Sequence, residues 1–187
     1  MRITIISGTN RQGSNTLKVA THVQGRYEAI EGVETRLVDL RDLPAQALSP
    51  TAYANKPAGL KPLIEPVMTA DGLVVVTPEY NGSFPGALKV FIDMLPFPEA
   101  FEKRPVCFVG LAAGMWGALR PVEQLQQVFN YRNALQFPER ILLPRVKTAI
   151  DDQGAPTDAF VSGLLTSQVT GFVDFVGRVG ELRSPNV

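Results

Sequence analysis

The residues in this chain best suited to chemistry lie in two short polar loops. The first, Gly8-Thr9-Asn10-Arg11-Gln12-Gly13-Ser14-Asn15-Thr16, sets hydroxyls from Thr9, Ser14 and Thr16 beside the Arg11 guanidinium and two glycines, with no bulky apolar residue. An apolar run ending at Ser7 precedes it, and a helical stripe through Leu17, Ala20, Val23 or Gln24, Tyr27 and Ile30 follows. A helix start with Ser14 or Asn15 as N-cap leaves backbone amides unpaired, and these with the helix dipole favour an anion by about 0.3–1 kcal/mol per nearby charge. An ordinary strand-to-helix turn would use the same cap. The density of hydroxyls and the guanidinium favour a phosphate over that simpler reading.

The kind of phosphate is narrowed by what the loop lacks. No Gly-Lys-Ser/Thr ending is present to clamp a triphosphate, and Gly8 with Gly13 does not make the Gly-x-Gly-x-x-Gly of a dinucleotide site. A monophosphate such as that of FMN remains. The second loop follows the β-branched run Val74-Val75-Val76-Thr77, which stops at Pro78, and Pro85-Gly86 then opens another helix. Between them Glu79, Tyr80 and Asn81 offer a flat surface and amides to a planar ligand. Taken alone, Tyr80 reads equally as a packing residue and Glu79 as a solvated charge.

Positioning these loops requires an alternating α/β fold. Strands are predicted at Arg2–Ser7, Val33–Asp39, from the Asp71-Gly72 turn into Val74–Thr77, at Pro105–Leu111 and near Arg140–Leu143, separated by helical stripes. The alternation of Val33-Glu34-Thr35-Arg36-Leu37-Val38-Asp39 and the prolines 138 and 144 put the second and fifth strands at the edges. Two strand orders are open to the pattern, and these edges fit a flavodoxin-like three-layer sandwich, a five-stranded parallel sheet in order 2-1-3-4-5 with helices on both faces, better than a half-Rossmann order. One domain spans 1–182, and 183–187 form a tail. Asp39 to Ala58 reads as an irregular connection, and the last helix is expected over Thr157–Leu182 with Phe160, Leu164, Val169, Phe172, Phe175 and Val179 inward.

The two loops and their flanks also resemble a known family. Gly8 to Ser14, and Thr77-Pro78-Glu79-Tyr80-Asn81-Gly82-Ser83-Phe84-Pro85-Gly86-Ala87-Leu88-Lys89 with Ile92-Asp93, look like the two signature motifs of the NADPH-dependent FMN reductases, a family that includes quinone, azo-dye and chromate reductases. Asp39 to Pro44, Ala70-Asp71-Gly72 and Arg104-Pro105-Val106 resemble its connecting segments in the same order. The resemblance implies FMN as cofactor and NADPH or NADH as co-substrate. It places Thr9, Asn10, Arg11, Ser14, Asn15 and Thr16 around the phosphate, and Pro78, Glu79, Tyr80 and Asn81 along the ring and ribityl. Leu111, Ala112 and Gly114 stand at the third loop. Two positions depart from the family pattern: Val90 stands in place of the usual Asn, and Ala112 to Gly117 lacks the usual Ser and paired glycines. Trp116 suits either stacking on a substrate ring or packing against a partner subunit.

On this reading hydride passes from the nicotinamide by way of flavin N5 to a quinone, azo compound, metal oxyanion or free flavin at one shared face, which implies ping-pong kinetics and no catalytic side chain. The rival readings are an electron carrier of flavodoxin type and an FMN-binding regulatory protein. Eighteen basic and eighteen acidic residues cancel without forming runs, which argues against nucleic-acid or membrane binding and against the acidic docking surface of a carrier. His22 sits in a helix, with a solvated position expected and no second ligand for a metal. Cys107, the one cysteine, lies in an apolar run where an inert thiol is expected. Lys89 and Asp93 are spaced to pair along a helix. The first apolar run is too short for a signal-peptide core, so a cytoplasmic protein is expected. Apolar residues Phe91, Met94, Leu95, Phe97 and Phe101 exceed one helix face, and with the resemblance they imply a homodimer or homotetramer.

Overall fold

Continuous apolar runs and alternating ones sort the strands into centre and edge, as the computed structural model of residues 1–180 shows. Strands β1 (Arg2–Ser7), β2 (Glu34–Asp39), β3 (Gly72–Pro78), β4 (Pro105–Leu111) and β5 (Leu135–Leu143) form one parallel sheet in the order β2-β1-β3-β4-β5. Every residue of β3 and β4 is buried, whereas β2 alternates as an edge strand should. The expected flavodoxin-like architecture is the observed one.

Helices α1 (Asn15–Glu28) and α6 (Ala159–Val179) cover one face, where Ile3, Ile5, Val74, Val76, Cys107 and Val109 meet Val23, Tyr27, Val169 and Phe172. On the other face α2 (Lys61–Thr69), α3 (Gly86–Met94) and α4 (Leu119–Tyr131) pack Leu63, Phe91 and Phe129 on Ile6, Val75 and Phe108. A four-residue helix, α5 (Val146–Ala149), follows β5. Alternate residues of the same strands feed the two layers, the direct consequence of the two-residue period of a strand.

Four expectations need correction. The segment from Asp39 to Ala58 is less irregular than expected: short 3₁₀ turns at Leu40–Asp42, Ala45–Leu48 and Ala58–Leu60 punctuate it, and Ala47, Ala52 and Leu60 are buried against Met94. Its prolines pre-set turns too short to leave a periodic pattern. Strand β5 starts at Leu135 and runs through Pro138, with the pairing register slipping between Val106 and Phe108 of β4. An edge strand tolerates the missing proline donor. Val169 and Phe172 are buried and Phe175 and Val179 half-buried as expected, but Phe160 is 74% exposed and Leu164 44%, and Leu165, Gln168 and Val176 complete the inward stripe of α6 in their place. Gln168 belongs to that stripe because its amide donates 3.0 Å bonds to the carbonyls of Phe108 and Glu139 where the register slips. A polar residue is needed there, and an apolar pattern cannot announce it.

The fourth correction concerns the apolar excess after α3. Phe91, Met94, Leu95 and Phe101 are all buried within the chain, Phe101 edge-on to Phe129, which leaves Phe97 alone exposed. The last helix, expected to reach Leu182, is described to Val179, and the tail at 183–187 lies outside the described residues. Helix α6 has the length and composition of a membrane span, yet its inward stripe packs on the sheet.

Candidate functional site

Because β1 lies between β2 and β3, the chain crosses to opposite sides after β1 and after β3, and a crevice opens at their carboxyl ends. Register brings those ends level: Ser7 pairs with Val76, Pro78 with Leu111, and Leu111 with Leu143. Loop one therefore faces loop two and loop three across a cavity of about 270 Å³. Arg11, Ser14, Asn15 and Thr16 line one side; Pro78, Glu79 and Tyr80 line the second; Leu111, Ala112 and Ala113 line the third.

At loop one, Ser14 is the N-cap of α1, its hydroxyl accepting from the Leu17 amide at 3.3 Å. The amides of Gly13, Asn15 and Thr16 take no acceptor among the described residues, and the Ser7 hydroxyl at the head of the loop is buried without a partner. A donor set of this kind suits a phosphate and its ester oxygens. Thr9 has a different position from the one expected. It is fully buried and its hydroxyl lies 2.9 Å from that of Tyr80, while also accepting from the Arg11 amide. Thr9 thus ties loop one to loop two and does not line the cavity.

Loop two closes on itself. Tyr80 and Ser83 exchange both backbone bonds, 2.8 and 3.0 Å, around Asn81 (φ 51°) and Gly82 (φ 77°). Two central residues at positive φ make this a type I′ turn, for which Asn-Gly is the preferred pair. Asn81 is exposed, outside the cavity lining, and serves the turn. From α4, Gln124 accepts from the Ser83 hydroxyl at 2.6 Å and donates to the Gly82 carbonyl at 3.4 Å, while Arg120 reaches Glu79 at 3.3 Å. The turn is held from one helix and from loop one together.

Asn10 and Gly114 are also exposed and outside the lining. Loop three meets the end of β5 through bonds from the Ala112 amide to Leu143 and from the Arg145 and Val146 amides to Gly114 and Ala112. That knit brings Val146 and Lys147 to the cavity wall, two residues the loop motifs do not reveal. The available signal was positional: the end of β5 must lie level with the ends of β3 and β4 in a parallel sheet. Met115 and Trp116 are exposed outside the lining, and Trp116 stacks on no ring among the described residues.

Elsewhere, Cys107 is wholly buried, 3.8 Å from the Tyr27 hydroxyl, and burial pushes both their pKa values up. The thiol is thereby held in its unreactive form. His22 is half-buried, not solvated as expected: burial first and then Arg26 lower its pKa, against an opposing pull from Asp151. Lys89 and Asp93 pair at 2.7 Å.

A doubly wound sheet with a donor-lined crevice at its switch point defines a flavodoxin-like α/β protein. The chain matches the family model of the NADPH-dependent FMN reductases over residues 1–147 and belongs to that family. It is 30% identical over 183 residues to a quinone reductase of Escherichia coli K12, covering 96% of this chain and 97% of that one. It is 30% identical over 178 residues to an NAD(P)H-dependent FMN reductase of Pseudomonas aeruginosa, covering 93% and 94%. Among solved structures, the flavoenzyme NAD(P)H:(acceptor) oxidoreductase FerB of Paracoccus denitrificans superposes with a TM-score of 0.78 at 24% identity, over 95% of this chain and 97% of that one. The protein is an oxidoreductase whose family works with FMN and a nicotinamide coenzyme.

Proposed function

We propose that this chain holds FMN in the crevice with its phosphate over loop one, and reduces a small acceptor such as a quinone, azo compound, metal oxyanion or free flavin with NADPH or NADH in ping-pong exchange. FMN, when bound, supplies the hydride chemistry at its ring. The chain's own residues bind and orient. The amides of Gly13, Asn15 and Thr16, the Ser14 and Thr16 hydroxyls and Arg11 suit the phosphate, while Asn10 extends the polar rim. Pro78, Glu79 and Tyr80 form a wall for the ring, shaped by the turn at Asn81, and Leu111, Ala112 and Ala113 hold the opposite side with Gly114 at its rim. The amides of Ala113 and Gly114 have no acceptor among the described residues and are free to donate toward negative charge there.

The observation that supports this reading best is the row of unpaired loop-one amides facing the Pro78 to Tyr80 wall, in a chain of this family. A homodimer or homotetramer in the cytoplasm completes the reading. The surface that suits such a contact is Phe97 with Tyr131, both exposed beside Arg132, whose guanidinium lies 4.6 Å from the Phe97 ring centroid. The test is to strip the purified protein, titrate it with FMN by visible absorbance, and follow NADPH oxidation with and without a quinone. Stoichiometric yellow complex and quinone-dependent turnover with parallel double-reciprocal lines are expected. A chain that takes up no FMN refutes the proposal.

A further inference from the structure

Arg11 and Lys147 are the two basic residues lining the cavity, and neither has a carboxylate within ion-pair distance among the described residues. The one acidic residue in the lining, Glu79, is matched by Arg120. The crevice therefore holds two uncompensated positive charges in a chain whose net charge is zero. Arg11 belongs to the signature loop; Lys147 comes from α5, which that motif does not include.

Lys147 is carried on an ordered support. The hydrogen bonds from Arg145 and Val146 to loop three fix the start of α5, and Thr157 ties its far end, its amide donating to the Ala149 carbonyl and its hydroxyl to the Thr148 carbonyl at 3.1 Å. The Asp151 carboxylate accepts from Gln153 and Ala155, both at 2.9 Å, closing the next turn. Gly154, at φ +84°, then presses on the backbone of Lys18 and Val19, where any Cβ would collide. The segment after β5 is thus docked on the first turns of α1, whose amino end carries the unpaired amides. That docking holds the segment that follows Lys147 against α1, and Lys147 lines the same cavity as Arg11, Gly13, Ser14, Asn15 and Thr16.

We infer that Lys147 is a second cation for the FMN phosphate, acting across the crevice from Arg11; this rests on the functional reading above. A phosphate monoester is close to a dianion at neutral pH, so one guanidinium leaves charge unmatched. A lysine suits the remaining role, because its ammonium is a point charge on a flexible stem that needs no fixed fork geometry. Lys147 is exposed, so its contribution is screened by salt.

The experiment compares wild type, Lys147→Met and Lys147→Arg as apoproteins titrated with FMN and with riboflavin, which lacks the phosphate, at low and high salt. The Met variant is expected to bind FMN about tenfold more weakly at low salt, about 1.4 kcal/mol. Its riboflavin affinity should equal that of wild type, Arg should restore FMN binding, and the loss should shrink at high salt. Unchanged FMN affinity overturns the inference, as does an equal loss for riboflavin, which would assign Lys147 to the ring or to packing. A raised KM for NADPH with FMN affinity intact would also overturn it, moving the lysine to the nicotinamide coenzyme's phosphate. Failure of wild type to bind FMN at all would be distinguishable, and would overturn the functional reading along with this one.

Discussion

Loop one and loop two sit side by side at the carboxyl ends of β1 and β3, and they use their polar groups in opposite ways. In loop one the amides of Gly13, Asn15 and Thr16 stay unpaired at the start of α1. In loop two, Tyr80 and Ser83 satisfy each other, Gln124 holds the turn from α4, and the Tyr80 hydroxyl is tied to Thr9. One loop keeps donors for an anion; the other keeps a shape. Changes in loop one should therefore register in ligand affinity, and changes in loop two in stability, with affinity following only as the wall deforms.

The most disruptive test is at the junction of the two. A Cβ on Gly8 would lie 2.8 Å from the Val76 carbonyl oxygen and 3.0 Å from a methyl of Leu88, so Gly8→Val must force β1 and β3 apart. We expect a loss of about 3 kcal/mol in urea unfolding together with loss of FMN binding. Asn81→Val puts a β-branched residue at positive φ and should cost about 1–2 kcal/mol. If FMN affinity falls more than stability does, loop two is a ligand-binding loop in its own right and the contrast fails.

Ser14→Ala removes both the cap and a hydroxyl from the proposed phosphate site. It should cost about 1 kcal/mol of stability and weaken FMN more than it weakens riboflavin. Equal weakening of both ligands would take Ser14 away from the phosphate. Tyr80→Phe breaks the tie to Thr9, expected to cost about 1 kcal/mol or less by thermal melting, with little preference between the two ligands.

The smallest effect concerns pH. His22 on α1 has its pKa lowered from 6.5 in the folded state, mainly by burial and then by Arg26, with Asp151 opposing. The unfolded chain binds that proton more readily, so the His22 contribution is present above pH 6.5 and declines as pH falls through the lower folded value. Urea midpoints between pH 7.5 and 5 should fall for wild type and fall less for His22→Gln. Identical slopes would remove His22 from the account.

Much of this organisation was legible before any coordinates. Period-two and unbroken apolar runs gave the strands their edge and centre positions, and the two polar loops after β1 and β3 marked the crevice. The resemblance of the same loops named the family. Other features were hidden for physical reasons. Gln168 faces the core because the β4 to β5 register slip frees two carbonyls, and a polar residue at that position is invisible to an apolar pattern. Phe91, Met94, Leu95 and Phe101 seemed surplus to one helix face because the chain that folds back to bury them leaves no periodic trace.

Sequence alone determined the strands and their edge or centre character, the anion-suited loop and the proline-stopped wall beside it, since each rests on local chemistry: propensity, capping and side-chain type. Only the tertiary structure decided that Thr9 serves Tyr80, that Asn81 serves a turn, and that Lys147 stands at the cavity. Those roles depend on which distant segments meet. Strand register and the docking of the 150–157 segment on α1 settle that, and neither is encoded at the residues themselves.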